Sequence, residues 1–141
     1  MKDLTITAII KVYQYDELNE ADRSLMKTAM EATARSYAPY SHFSVGAAAL
    51  LNNGTIVTGT NQENAAYPSG LCAERTTLFY ANSQYPDQPI NTLAIAARTE
   101  KDFIETPIPV RILLYGRECI YEVKSIGDLL PLSFDASAME E

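Results

Sequence analysis

Cysteine and histidine are scarce in this sequence: its 141 residues hold two cysteines, Cys72 and Cys119, and one histidine, His42. Two thiols are too few for a disulfide-built scaffold of this size, and a reducing cytoplasm is the simplest setting. Positive charge is also sparse, with 11 basic residues against 18 acidic ones, a net charge of −7, and no basic run. That balance argues against a surface for duplex nucleic acid or for an anionic membrane. Long apolar runs are missing, so no stretch reads as a bilayer span. The opening M-K-D-L-T-I-T-A-I-I-K-V lacks the extended apolar core and small-residue cleavage site of a secretory signal. Six glycines and seven prolines are ordinary usage, which points to neither a disordered nor a fibrous class. With no repeat, low-complexity tract or linker, one domain spanning 1–141 is expected.

What the chain does have is apolar content, 47% of residues, enough for one sizeable core. Residues 4–13 alternate loosely, with Leu4, Ile6 and Ala8 on one face, and predict a strand. Asn19 or Asp16 is placed to cap a helix running to about Tyr37, because Leu25, Met26, Ala29, Met30, Ala32 and Thr33 form an apolar stripe at helical spacing. Asn53-Gly54 between two apolar runs, 43–51 and 55–60, is a hairpin signal. Pro68 and Gly70 mark residues 62–71 as a loop, and Ala73 to about Asn82 reads as a helix with Leu78 and Ala81 inward. Strands follow at 91–98, 110–116 and 119–124, then a helical turn over 128–134 stopped by Pro131. The order β, α, hairpin, α, β, β, β predicts a layered α/β domain.

The most chemically loaded stretch is N-Q-E-N-A-A-Y-P-S-G-L-C-A-E-R-T, Asn61–Thr76. It places Cys72 at the start of the second helix, where the N-terminus favours negative charge and a thiolate is a ready metal ligand. Glu74 lies in the same first turn and need not coordinate; a carboxylate there can move the proton of a metal-bound water. Arg75 is placed to balance thiolate charge. The plainer alternatives are a cysteine buried as a small hydrophobe and a solvated Glu-Arg pair.

The surroundings are more specific than C-x-E. P-Y-S-H-F-S-V-G-A-A-A-L at 39–50 and G-T-N-Q-E-N-A-A-Y-P-S-G-L-C-A-E-R-T at 59–76 strongly resemble the small tetrameric cytidine deaminases, as does the ending L-L-P-L-S-F. The resemblance covers about residues 20–98 and 110–134. It implies a three-layer α/β/α domain with a mixed sheet of about five strands. It also implies zinc-dependent hydrolytic deamination of cytidine or deoxycytidine in pyrimidine salvage, and a cytoplasmic homotetramer with shared active sites. No nucleic-acid or membrane partner is implied.

By the same resemblance, Cys72 matches a zinc ligand, Glu74 the general acid/base, and Arg75 the arginine that hydrogen-bonds the ligand thiolates. Asn61 and Glu63 match the side chains that hold the ribose 3′-hydroxyl, and Phe43 the aromatic wall of the base pocket. Tyr67 and Phe134 match residues that reach a neighbouring subunit's site. Taken alone, Asn61 and Glu63 also fit a capped turn, and the aromatic residues ordinary packing.

The sequence departs from the family in one place. The motif P-C-x-x-C, which follows the strand at 91–98 and supplies two further zinc ligands, is absent, along with the helix it opens. The chain runs from A-A-R-T-E-K-D-F-I-E-T-P-I directly into P-V-R-I-L-L-Y-G. Catalytic zinc takes three protein ligands and a water, and beyond Cys72 only Cys119 and His42 are soft donors. If strands 91–98 and 110–116 are parallel neighbours, their crossover normally needs a helix. Thr99–Pro109 gives eleven residues, two of them late prolines. A segment missing near Thr106–Pro109 is therefore expected, with the complete chain supplying the other two ligands. The competing expectation is a catalytically inactive nucleoside-binding or scaffolding relative. A nucleic-acid editing deaminase is disfavoured by the net charge and by the Asn61/Glu63 pair.

Overall fold

The structure, a computed structural model, describes residues 9, 11–104, 112–115 and 120–123. In chain order the elements are β1 (Lys11–Tyr13), α1 (Glu20–Ala32), β2 (Ser44–Leu51), β3 (Ile56–Thr60), α2 (Ala73–Gln84), β4 (Ile90–Arg98), β5 (Phe103–Ile104), β6 (Ile112–Tyr115) and β7 (Ile120–Val123). Short 3-10 turns lie at Tyr15–Glu17, Thr33–Arg35 and Tyr67–Ser69.

The sheet is mixed, with spatial order β1-β7-β6-β4-β2-β3, and β5 pairs with the end of β4. The β4–β6 pair is parallel, an arrangement the sequence raised only as a condition, and the other pairs are antiparallel. Within the described residues the sheet contains strands at each expected place, Lys11–Tyr13 being the described part of the one predicted over 4–13, and it adds the two-residue β5, for which the sequence shows no signal. Leu4, Ile6, Ala8, Cys119, the turn at 128–134 and Phe134 lie outside the described residues.

Side-chain alternation in β2 and β4 builds the layers. Ala48, Ala94 and Ala96 cluster with Leu25, Met26 and Ala29 of α1, whereas Ala47, Ala49, Leu93 and Ile95 cluster with Ala73 of α2. Registers Ala48↔Ala94 and Ala47↔Ile95 place these sets on opposite faces, because successive residues of a strand point to opposite sides. Covered on both sides, the run S-V-G-A-A-A-L-L stays apolar instead of alternating with polar residues. The result is the α/β/α arrangement with α1 and α2 on either side of the sheet.

The hairpin turn falls where Asn53-Gly54 placed it. Gly54 has φ 86°, a region that disfavours side chains, and the Asn53 carboxamide accepts from the Thr55 N–H at 3.0 Å. Asn19 caps α1 by accepting from the Asp22 N–H at 2.9 Å.

One expectation needs correction: α1 ends at Ala32, not near Tyr37. The Thr33 hydroxyl bonds back to the Met30 carbonyl at 2.7 Å, and the chain tightens into a 3-10 turn ending at Arg35. Tyr37 is then claimed by long-range pairing: its N–H donates to the Asn61 carbonyl at 3.1 Å, and its carbonyl accepts from the Glu63 N–H at 2.8 Å. Those bonds hold Tyr37 extended and leave its ring 55% exposed.

Candidate active site

The end of β3 and the start of α2 bring the loaded residues together. Ala73 is fully buried beneath the sheet, which fixes where α2 begins and leaves Cys72 as its N-cap. The Cys72 carbonyl accepts from the Thr76 N–H at 3.1 Å and the Thr76 hydroxyl at 3.0 Å. Its side chain makes no capping bond and is an exposed, free thiol. Cys72 therefore stands at the mouth of a 12-residue helix, the position expected from the sequence.

Asn61, Glu63, Tyr67, Cys72 and Arg75 all line one hollow of about 890 Å³, together with Tyr40, Ser41, Gln62, Pro68 and Leu71. Asn61 and Arg75, at opposite ends of this stretch, face one space because Gln62 and Leu71 pair backbone to backbone, N–H to carbonyl in both directions, at 2.8 and 2.9 Å. That closes the loop and carries Tyr67, 91% exposed, on its 3-10 turn at the rim. Phe43 and Glu74 are half-buried and are not among the lining residues. Phe43 is tied to the site by its backbone: its carbonyl accepts from the Asn61 carboxamide at 2.8 Å and its N–H donates to the Ser41 hydroxyl at 3.2 Å. Glu74 lies in the first turn of α2 between Ala73 and Arg75.

Asn61 and Glu63 are both anchored. Asn61, buried, accepts through Oδ1 from the Ser36 hydroxyl at 2.5 Å and the Val45 N–H at 2.8 Å. Glu63 accepts from the N–H groups of Tyr40 (3.0 Å) and Ser41 (3.2 Å) and from the Ser41 hydroxyl. The Ser41 hydroxyl, above all, holds the Glu63 carboxyl below its ordinary pKa; partial burial opposes this, while the two N–H groups and nearby His42 assist. Glu63 is thus a carboxylate, an acceptor only, at neutral pH. Sequence reasoning missed Ser36, Ser41 and Tyr40. Their partners lie 22 to 25 residues further along the chain, a separation at which no local pattern operates.

His42 faces elsewhere. It adopts φ 55°, its Nδ1 lies 3.3 Å from Glu100 Oε1, and it lines a separate hollow with Ser36, Tyr37, Arg98 and Glu100.

A cysteine at a helix mouth with a carboxylate in the same turn, on an α/β/α sheet, is the arrangement of the hydrolytic deaminases of bases and nucleosides. Residues 19–100 match the family model described as the cytidine and deoxycytidylate deaminase zinc-binding region. The cytidine deaminase of Halalkalibacterium halodurans is 32% identical over 128 residues, covering 83% of this chain and 96% of that protein. The crystal structure of cytidine deaminase from Burkholderia pseudomallei superposes with TM-score 0.67 at 31% identity, over 83% of this chain and all of that one. The enzyme from Mycobacterium tuberculosis gives 0.65 at 30% identity, over 83% and 99% respectively. The chain belongs to this deaminase family, whose members are zinc-dependent hydrolases.

The donors on this chain fit that zinc only in part. Cys72 is free, exposed and in the hollow, as a ligand must be. Among the described residues, no three of His, Cys, Asp and Glu stand close enough to hold a metal ion. The substitute set Cys72, His42 and Cys119 is not assembled, since His42 lines the other hollow and Cys119 is outside the described residues. The described donors thus fill one position of a site that takes three protein ligands. Among the described residues, no helix is long and apolar enough to cross a membrane.

Proposed function

We propose that the hollow takes cytidine or deoxycytidine and that the chain hydrolyses it to uridine or deoxyuridine. Water adds at C4 of the base, the C4–N bond breaks, and ammonia leaves. The observation that carries this reading is the convergence of Asn61, Glu63, Tyr67, Cys72 and Arg75 on one hollow in a chain of this family. Asn61 and Glu63 hold a sugar hydroxyl, Phe43 packs against the base, and Glu74 takes a proton from water and delivers it to N3 and then to the departing amine. Arg75 places a positive charge on the wall that also holds Cys72, where it offsets thiolate charge.

Tyr67 at the rim and Phe134 near the end of the chain reach a neighbouring copy's hollow in a homotetramer of single-domain subunits. The 91% exposure of Tyr67 supports this, since a ring so open has surface to bury against a second copy. The setting is cytoplasmic pyrimidine salvage, where free nucleosides are the substrates.

The test combines metal analysis, intact mass and assay on one purified sample. For a complete chain that supplies the two further ligands, about one zinc per subunit, loss of cytidine absorbance and matching ammonia are expected. Cytidine binding with neither zinc nor ammonia would overturn the proposal and leave a nucleoside-binding protein.

A further inference from the structure

We propose that Ser36 and Ser41 are positioning residues that turn Asn61 and Glu63 into one donor and one acceptor aimed at a single hydroxyl. This rests on the reading that the pair holds the sugar of a nucleoside.

The argument is a count of hydrogen-bonding capacity. The Asn61 carboxamide has two acceptor sites on Oδ1 and two N–H groups. The orientation is fixed by backbone groups that have no choice of role: the Val45 N–H can only donate and the Phe43 carbonyl can only accept. The Ser36 hydroxyl takes the second acceptor site on Oδ1. What remains to Asn61 is one N–H. An ionised Glu63 has about four acceptor sites. The Tyr40 and Ser41 N–H groups occupy Oε2 and the Ser41 hydroxyl takes one site on Oε1, leaving one on Oε1. The residual capacity is one donor and one acceptor on residues two apart, both lining the same hollow. A hydroxyl fills both at once, accepting from Asn61 and donating to Glu63. A phosphate ester at that oxygen has no proton to give and adds negative charge beside a carboxylate.

The two serines stand at either end of one short segment, S-Y-A-P-Y-S, which crosses over residues 61–63 and is pinned there by the Tyr37 backbone bonds. Ser41 also accepts from the Phe43 N–H, so a single hydroxyl links the sugar contact to the residue proposed to face the base. Neither serine needs to touch the ligand: each acts through the side chain it saturates.

The experiment compares equilibrium binding of cytidine and 3′-deoxycytidine, by calorimetry, to the wild-type chain and to Ser36→Ala, Ser41→Ala and Ser41→Thr. Every protein compared also carries Glu74→Ala, so that neither nucleoside is consumed during the titration, and wild type here means Ser36 and Ser41 unchanged. The wild type is expected to prefer cytidine by about tenfold or more, the scale of hydrogen bonds to a charged partner. Ser36→Ala and Ser41→Ala should lose most of that preference, and Ser41→Thr, which keeps the hydroxyl, should restore it. The acid limb of cytidine binding should also move to higher pH in Ser41→Ala and not in Ser41→Thr. Ser41 is exposed, and melting temperatures report whether each variant is folded. A wild type that binds the two nucleosides equally, or binds neither, refutes the sugar reading and this inference with it. A wild type that discriminates alongside folded alanine variants that discriminate as well refutes the serines' role alone.

Discussion

Gly59 of β3 lies directly against Thr77 of α2: a Cβ built on Gly59 would meet the Thr77 hydroxyl oxygen, and would stand 2.7 Å from the Thr77 nitrogen and 3.0 Å from its Cα. The close approach ties the helix that starts at Cys72 to the strand that leads to Asn61. Two of the atoms are backbone, so a rotamer change does not relieve the crowding. Thr77 is fully buried and its hydroxyl is already committed to the Ala73 carbonyl at 2.7 Å.

Gly59→Ala should therefore push α2 off the sheet at its first two turns. A loss of about 1–3 kcal/mol is expected, the range for overpacking a filled interior, measured by urea unfolding. Because the displaced turns carry Cys72 and Glu74, activity should fall in the variant even at temperatures where it remains folded.

Glu74→Ala should reduce turnover of cytidine by at least about 100-fold, the low end of what a positioned acid/base contributes. Melting temperature should stay close to wild type, since Glu74 is half-buried and not part of the core. Steady-state assay with parallel calorimetry separates the two effects. Normal turnover in this variant would remove Glu74 from the chemistry.

The elements visible in the sequence were those whose causes are local. Asn19 caps α1 through a partner three residues away, and Asn53-Gly54 turns the hairpin through bonds within the turn. Cys72 was visible because a helix start is also a local event. The end of α1 was not, since Tyr37 is held by residues 61 and 63. Nor was β5, two residues whose only cause is the neighbouring edge of β4. Ser36 and Ser41 carry no pattern of their own; only the folded chain sets them beside Asn61 and Glu63. The family motifs led to one face of the site, and the fold supplied what holds that face in place.

Asn19→Ala tests the local reading by itself. It removes the acceptor for the Asp22 N–H and should cost about 1 kcal/mol of stability, with activity at low temperature unchanged, because α1 lies on the face of the sheet opposite α2. Thermal unfolding followed by circular dichroism measures it.

Cys72→Ser should abolish stoichiometric zinc uptake while leaving the fold intact, since the thiol is exposed and makes no capping bond. The readout is metal content after dialysis against dilute zinc, with the wild type alongside. Equal zinc in both proteins would place the metal away from the helix mouth.

The Glu63 carboxyl sets a pH dependence whose sign can be worked out. Its pKa in the folded chain lies below the ordinary value of 4.5, chiefly because the Ser41 hydroxyl donates to it. The folded state therefore prefers the carboxylate, and between the folded pKa and 4.5 the unfolded chain binds more protons. Stability from this group is fully present above the ordinary value and is lost as pH falls through the folded one. Glu63→Gln lacks the contribution at every pH. The stability difference between wild type and Glu63→Gln should be flat above about pH 5 and shrink as the solution is acidified below it. Urea unfolding at a series of pH values from neutral downward measures it, and the effect should be modest because the site is open to solvent screening. A difference that did not change on acidification would show that the Ser41–Glu63 bond does not favour the ionised form. Cytidine binding should weaken over the same range, since a protonated Glu63 no longer offers two open acceptor oxygens to the segment that crosses it.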